Sequence, residues 1–127
     1  MGDFVVHGYQ AVIDSTETYL GDLYDEGGRG PLAKGGEKVE IGEDGDKVVV
    51  GKTNDRQEIA RAVRCEDWNG VIAMVNRFAQ EIDGLQTVEI VDREQSKARA
   101  EGILALQLHA GVPMLAQFKD IQLKLQK

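Results

Sequence analysis

The chain has 127 residues, with 15 Lys and Arg against 22 Asp and Glu, and therefore a net charge of −7. Phosphate backbones and anionic headgroups repel such an acidic protein, so we expect neither nucleic-acid nor membrane-surface binding. The length suits a single domain, residues 1–127, and 42% hydrophobic residues can supply its core.

The first half of the chain predicts short strands separated by turns. Residues 4–14 alternate loosely between apolar and polar positions, which predicts a strand. Residues 15–38 are dominated by Gly, Asp and Glu and predict a long loop. The apolar segments 38–41 and 47–52 flank the pair Asp-Gly at 44–45, which predicts a β-hairpin.

One helix is predicted over residues 54–66. Asn54 can cap it, and Gln57 follows three residues later, as in a capping box. Ile59 and Val63 then fall on one apolar face.

A long strand is predicted next, over residues 68–82. Its first half is apolar on both faces, which is typical of a strand buried between two layers. Asp83-Gly84 predicts a tight turn into a further strand at 85–91, and residues 92–101 form a charged connector.

The C-terminal part predicts two more strands. Apolar and other side chains alternate regularly over residues 103–110. The leucines are predicted to face the core, so Gln107 and His109 are predicted to lie side by side on the opposite face. The last predicted strand, 113–125, changes parity, which indicates a β-bulge near residues 119–120. Six or seven antiparallel strands with one short helix predict an all-β antiparallel sandwich.

The motifs exclude several kinds of site. The glycine-rich run at 27–36 is not a phosphate-binding P-loop, because Gly36 stands where that loop needs lysine. It predicts a mobile or ligand-shaping loop, in which Arg29 can hold an anion or a sugar hydroxyl. Cys65 is alone, which excludes an intrachain disulfide and a zinc site built on a cysteine pair. The histidines His7 and His109 lack metal-ligand spacing.

Several segments together resemble one family. They are GDFVV (2–6), GYQ (8–10), LYDEGGRG (23–30), EDWN (66–69), DGLQTV (83–88), GILALQLHAG (102–111), PM (113–114) and FKDI (118–121). In this order they are similar to the 3-keto-disaccharide hydrolase domain family, over essentially the whole chain. The resemblance implies a concanavalin-like jelly roll with a concave groove. Family domains are longer, so it also implies the C-terminal portion of such a domain, incomplete at the N-terminus.

The resemblance implies chemistry on an oxidised disaccharide or glucoside. A keto group at C3 acidifies the C2 proton, so a base can form an enolate and expel the C1 substituent, after which water adds. A divalent metal ion is a common enolate stabiliser, and the resemblance leaves open whether one is used.

The implied groove residues divide into catalytic and substrate-binding groups. His109 would transfer a proton or bind a metal ion, and Asp25 or Glu26 would act as the base or as a ligand. The substrate-binding group would hold hydroxyls or the oxyanion and pack on the sugar; it comprises Gln10, Tyr24, Arg29 and Gln107.

Two alternatives remain open: a non-catalytic carbohydrate-binding sandwich, and a structural fragment that folds by oligomerising. A shortened sandwich would expose an apolar face and unpaired strand edges, which predicts a homo-oligomer or a strand-swapped dimer. The first residues lack signal-peptide features, and no apolar run approaches the roughly 20 residues that span a bilayer. We therefore expect a soluble protein without membrane insertion, whereas the family resemblance implies a periplasmic or extracellular location.

Overall fold

The computed structural model describes residues 5–14, 16, 18–64, 66–74, 78–108 and 110–125. Within these ranges the chain forms eight strands and one helix. The elements are β1 (Gly8–Ala11), β2 (Leu23–Glu26), β3 (Gly30–Ala33), β4 (Glu37–Ile41), β5 (Lys47–Lys52), α1 (Arg56–Ala62), β6 (Val71–Met74), β7 (Phe78–Ile82) and β8 (Leu85–Asp92).

The strands form two sheets. One has the order β1-β2-β3, and the other has the order β5-β4-β8-β7-β6. The mostly β prediction with one short helix is confirmed, but the prediction of purely antiparallel pairing is wrong. β4 and β8 run parallel, with Lys38 opposite Glu89. Parallel neighbours need a long crossover, and here β5, α1, β6 and β7 supply it.

The two sheets pack through one apolar cluster. The three-stranded sheet contributes Leu23, Leu32 and Ala33, and the five-stranded sheet contributes Val39, Ile41, Phe78, Val88 and Ile90. All of them are buried, so the two sheets share one apolar core. A second cluster of Leu20, Ile59 and Ile82 holds α1 against the end of β7.

The two Asp-Gly turns are confirmed. Residues 42–46 connect β4 to β5, and Gly45 has a φ of 88°. Between β7 and β8, Asp83 has a φ of 49° and Gly84 a φ of 82°. Two consecutive positive φ angles are the conformation that a tight two-residue hairpin requires, and Asp-Gly adopts it readily.

The helix is shorter than predicted, because α1 spans Arg56–Ala62 rather than residues 54–66, and its cap lies one residue after the predicted Asn54. Asp55 is the N-cap: its carboxylate accepts from the Gln57 backbone at 2.8 Å, and Glu58 accepts from the Asp55 backbone at 3.4 Å. The Asn54 amide instead donates to the Gln86 carbonyl at 2.9 Å, so it ties the helix start to β8. Ile59 is buried as predicted. Among the described residues no helix has the length and apolar character needed to cross a bilayer.

Two predictions in the middle of the chain are wrong. Residues 15–38 are not one long loop, because β2 and β3 lie within them. β2 buries alternate residues, Leu23 and Asp25, and β3 buries Leu32 and Ala33. Residues 68–82 are not one strand, since β6 and β7 are separate antiparallel partners. β6 is exposed along its whole length at the sheet edge, so its two apolar faces do not lie between layers.

The strands predicted at 103–110 and 113–125 are also wrong for the described part of these ranges. Each described residue from 101 to 125 is exposed, and none belongs to a strand or helix. Asp120 has a φ of 53°, but residues 119–120 do not form the predicted β-bulge, because they do not belong to a paired strand. An alternating sequence becomes a strand only when a neighbouring edge accepts its backbone hydrogen bonds.

We expect Gly84→Ala to destabilise the protein by about 1 kcal/mol, because alanine is strained at a positive φ. A Cβ at Gly84 would meet nothing within 4 Å, so the cost is purely a backbone effect. Gly70→Ala, beside the same hairpin, is the matched control because its Cβ would make only an ordinary 3.8 Å contact with Asp83. Urea unfolding should separate the two variants, and equal free energies of unfolding would contradict this account of the turn.

Candidate functional site

A buried arginine binds three carboxylates between the two sheets. Arg29 lies in the turn between β2 and β3. Its Nε lies 2.7 Å from Asp25 Oδ2, its Nη2 2.7 Å from Asp92 Oδ2 and its Nη1 3.2 Å from Glu94 Oε2. The side chains of all four residues are only 8 to 11% exposed. Together with Tyr9 we call them the Arg29 cluster.

Tyr9 joins this cluster to the apolar core. Its hydroxyl donates to Asp92 Oδ2 at 2.5 Å, and Arg29 Nη2 approaches the same hydroxyl at 3.5 Å. The Tyr9 ring lies 5.8 Å from the Phe78 ring, centroid to centroid, and the Arg29 guanidinium lies 5.8 Å from the Tyr9 centroid. The cluster therefore links β1 and β2 to the end of β8 and to the residues that follow it.

The hydrogen bonds of the cluster fix its charge states. Burial disfavours the charged form of Arg29, but the hydrogen bonds with Asp92, Asp25 and Tyr9 outweigh it and raise the Arg29 pKa further. Burial also opposes ionisation of Asp92, yet the donors Arg29 and Tyr9 hold its pKa below the ordinary value. Burial and then the bond to Asp92 raise the pKa of Tyr9. At neutral pH Arg29 and Asp92 are therefore charged and Tyr9 is neutral.

The turn that carries Arg29 requires glycine. A Cβ on Gly28 would lie 2.7 Å from Asp25 Oδ1, so a larger residue would push the carboxylate away from Arg29. Gly27 has a φ of 67°, and a Cβ there would overlap the imidazole of His7. The glycine run is therefore a tight hairpin turn that packs against two polar side chains.

A cavity of about 390 Å³ opens beside this turn. It lies at the end of the β1–β2 ladder, where Gly8 is paired with Glu26. It is lined by His7, Gly8, Asp25, Glu26, Gly27, Gly28, Lys97 and Arg99. Its volume falls in the range of about 300–1,000 Å³ found for small-molecule sites. Carboxylates, an imidazole and two cations give it the mixture of donors and acceptors that a polyhydroxylated ligand needs.

The structure divides the site residues predicted near the N-terminus between two faces of one sheet. Gln10 is paired with Tyr24, and Tyr9 is paired with Asp25. Because side chains alternate along a strand, Gln10, Tyr24 and Glu26 share the outer face. Asp25 is on the inner face, where it belongs to the Arg29 cluster. The cavity at the end of the ladder reaches both Asp25 and Glu26.

The remaining predicted residues have different positions. Arg29 is fully engaged by carboxylates of its own chain. Gln107 lies in the exposed part of the chain after β8 and is not one of the cavity-lining residues. His109 lies outside the described residues.

Sequence analysis missed Tyr9, Asp92 and Glu94 in the cluster, and Lys97 and Arg99 in the cavity. The only signal for the four charged residues was the charge of the predicted connector at 92–101, and charged connectors are ordinarily solvated. Tyr9 had no signal beyond its position in a predicted strand. The backbone of Arg99 hydrogen-bonds to Tyr9, which draws this connector towards β1. Only the three-dimensional arrangement shows that Asp92, at the end of β8, contacts an arginine 63 positions earlier.

The described residues do not fit a divalent metal ion. No three His, Cys, Asp or Glu side chains in the described ranges are arranged to hold one. Asp25, Asp92 and Glu94 come together, but the Arg29 guanidinium occupies the space between them. A metal ion would have to displace a cation that three charge-assisted bonds hold in place.

Comparison of the chain with protein-family models, with curated proteins and with solved structures found no match. Inference about its function therefore rests on the residues of the chain itself.

We expect Arg29→Leu to lower the free energy of unfolding by about 3–5 kcal/mol, because it leaves the buried carboxylates of Asp25 and Asp92 without a counter-charge and Glu94 with Lys97 alone. Arg93→Leu is the matched control. Arg93 pairs with Glu40 at 3.2 Å, but its side chain is 54% exposed, so its loss should cost under about 1 kcal/mol. Urea unfolding of both variants at pH 7 measures the difference, and similar costs would contradict a structural role for the cluster.

We expect Asp92 to make the protein sensitive to acid. Its pKa is lower in the folded chain than the ordinary value of 3.8, so its stabilising effect is complete above that value and is lost as the pH falls through the folded pKa. Asp92→Asn should therefore be less stable at pH 7 and lose less stability on acidification. Melting curves from neutral to acid pH measure this, with the exposed Glu40→Gln as control. An unchanged acid dependence in Asp92→Asn would refute the assignment.

Proposed function

We propose that the protein binds a sugar oxidised at C3 in the cavity beside the Arg29 cluster and cleaves its glycosidic bond by elimination. The supporting observation is that the cavity brings two carboxylates, an imidazole and two cations to the end of one β-ladder. The segment LYDEGGRG, which carries much of the family resemblance, supplies Asp25, Glu26, Gly27 and Gly28 of this cavity. The two-sheet arrangement supports a β-sandwich for this proposal, although the parallel pairing of β4 with β8 departs from the antiparallel jelly roll that the family resemblance implies.

The reaction needs a base at C2 and a donor for the leaving group. The base takes the C2 proton, and the electron pair of the C–H bond forms an enolate with the C3 carbonyl. The enolate then expels the C1 substituent as the C1–O bond breaks, and the departing oxygen is protonated. Water adds across the new C1–C2 double bond, so that C1 gains a hydroxyl and C2 regains a proton.

Glu26 is the better base of the two acidic candidates. Both line the cavity, but Asp25 Oδ2 lies 2.7 Å from Arg29 Nε, so this carboxylate is already engaged in an ion pair. Glu26 is half-buried and shares the outer face of the sheet with Gln10 and Tyr24. In this proposal Gln10 and Tyr24 hold the part of the sugar that extends beyond the cavity lining. In this proposal Arg29 positions Asp25 rather than binding substrate.

The cations of the cavity suit the negative charge that develops on the enolate oxygen. Lys97 and Arg99 both line the cavity, and Lys97 pairs with Glu94 at 3.4 Å, which links it to the Arg29 cluster. Donors held in advance near a developing oxyanion lower the barrier more than mobile solvent does. His109, for which the family resemblance implies a groove position, takes the proton-transfer role in this proposal on chemical grounds.

A second candidate is a carbohydrate-binding sandwich without catalysis. It is favoured by the mutual neutralisation of Asp25 and Arg29, because two of the polar groups in the proposed site are committed to structure. Such a site would bind the same oxidised sugar through Gln10, Tyr24 and the cations without removing its C2 proton.

The test is incubation with a 3-keto glucoside while loss of the 3-keto chromophore and release of the C1 substituent are followed. We expect turnover, and Glu26→Gln should reduce it by about 100-fold or more while sugar binding persists. His109→Ala should also reduce it. Glu40→Gln, an exposed carboxamide variant on β4, should leave it unchanged.

Two other results would change the conclusion. A thermal shift with the sugar but no release would replace the enzyme by the binding sandwich. Turnover that survives in Glu26→Gln would remove Glu26 as the base. If the sugar is neither bound nor cleaved, both functions are refuted.

A further inference from the structure

The chain ends in an exposed apolar stretch. We call residues 102–125 the C-terminal segment. From Ile103 to Leu125 it carries eleven large apolar side chains, and each of them is between 48 and 83% exposed. The largest apolar patch of an ordinary monomer covers about 300–600 Å² and is commonly an interaction site. A stretch this long and this apolar indicates a surface that another polypeptide covers.

The five-stranded sheet has two edges, β5 and β6, and they differ. β5 begins and ends with lysine, at Lys47 and Lys52, and lysine at an edge discourages pairing with another strand. β6 has the sequence VIAM, with no charge, and all four residues are exposed. Ile72, in its middle, is 56% exposed. β6 is therefore the edge that is open to an added strand.

One contact shows where the C-terminal segment meets this edge. Lys119 Nζ lies 4.1 Å from the centroid of the Trp68 ring, and Trp68 precedes β6 by three residues. This cation–π contact brings the segment to the start of β6. Within a single chain, however, it leaves both the segment and β6 exposed, so one copy does not cover either surface.

Charge indicates that a second copy of the chain covers the C-terminal segment and the β6 edge. The C-terminal segment, residues 102–125, contains two lysines and one aspartate and is net +1, whereas the whole chain is −7. The rest of the chain is therefore net −8. Glu81 is opposite Ile72 on the neighbouring strand, and Glu66 and Asp67 precede β6. A basic apolar segment thus meets an apolar edge in acidic surroundings.

We propose that the C-terminal segment of one copy adds as a strand to β6 of a second copy, and that the exchange is reciprocal. Exchange of an identical element preserves its contacts, so Lys119 of one copy lies over Trp68 of the other. Two-fold symmetry uses each apolar segment once and doubles the buried area. Stable interfaces bury roughly 1,200–2,000 Å² in total, which two such segments can supply.

The first test is the mass of the full chain in solution, by light scattering and sedimentation over about a hundredfold range of concentration. We expect a dimer. Ile72→Lys, which places a charge on the open edge, should raise the dimer dissociation constant by about tenfold or more. Val49→Lys on β5 is the matched control: Val49 is 58% exposed, and its substitution should leave the dimer intact. A monomeric wild type, or a dimer weakened only by Val49→Lys, would overturn the proposal.

The second test asks which copy the segment contacts. In a Cys65→Ser background, one preparation carries Trp68→Cys and another carries Lys119→Cys, and the two are mixed before oxidation. A disulfide-linked dimer should form in the mixture, and neither preparation should form one by itself. A chain that carries both cysteines and closes the bond within a monomer would show that the segment folds back on its own β6, which refutes exchange.

Discussion

One guanidinium between two sheets is the interaction on which the candidate site depends. Arg29 binds Asp25 in the three-stranded sheet, and Asp92 and Glu94 at the end of the five-stranded sheet. Its charge compensates part of the cost of burying three carboxylates, and it also fixes the distance between the β2–β3 turn and the connector after β8. The cavity lies between these two segments, so its width is set by the same ion pairs.

The glycines of the turn follow from this arrangement. Gly28 is the position at which the backbone passes closest to the Asp25 carboxylate, and Gly27 is the position at which it passes closest to His7. Side chains at either position would displace a polar group that lines the cavity. The glycines here allow polar side chains to pack directly against the backbone. Glycine-rich runs often indicate phosphate binding, and this one has a different role.

Local chemistry explains which elements could be predicted from the sequence. Asp83-Gly84 and the turn at Gly45 need only their own residues to favour positive φ, so both hairpins were predictable. The helix was predictable to within one residue of its cap, because Asn54 bonds to β8 and leaves capping to Asp55. The apolar sequence of β6 and the alternation after residue 102 could not distinguish a buried strand from an unpartnered one. The Arg29 cluster could not be predicted either, because its members come from three distant segments.

Assembly and the candidate site share a part of the chain. The C-terminal segment contains Gln107, which the family resemblance places in a groove, while the structure leaves it exposed and away from the cavity lining. A segment that pairs with a second copy brings its polar face to that copy as well. Any sugar contact made by Gln107 would then depend on dimer formation, and ligand binding and association would be thermodynamically linked. Contacts made by Glu26 and Asp25 belong to one chain and carry no such dependence. The concentration dependence of sugar affinity therefore separates a site built within one copy from a site completed by its partner.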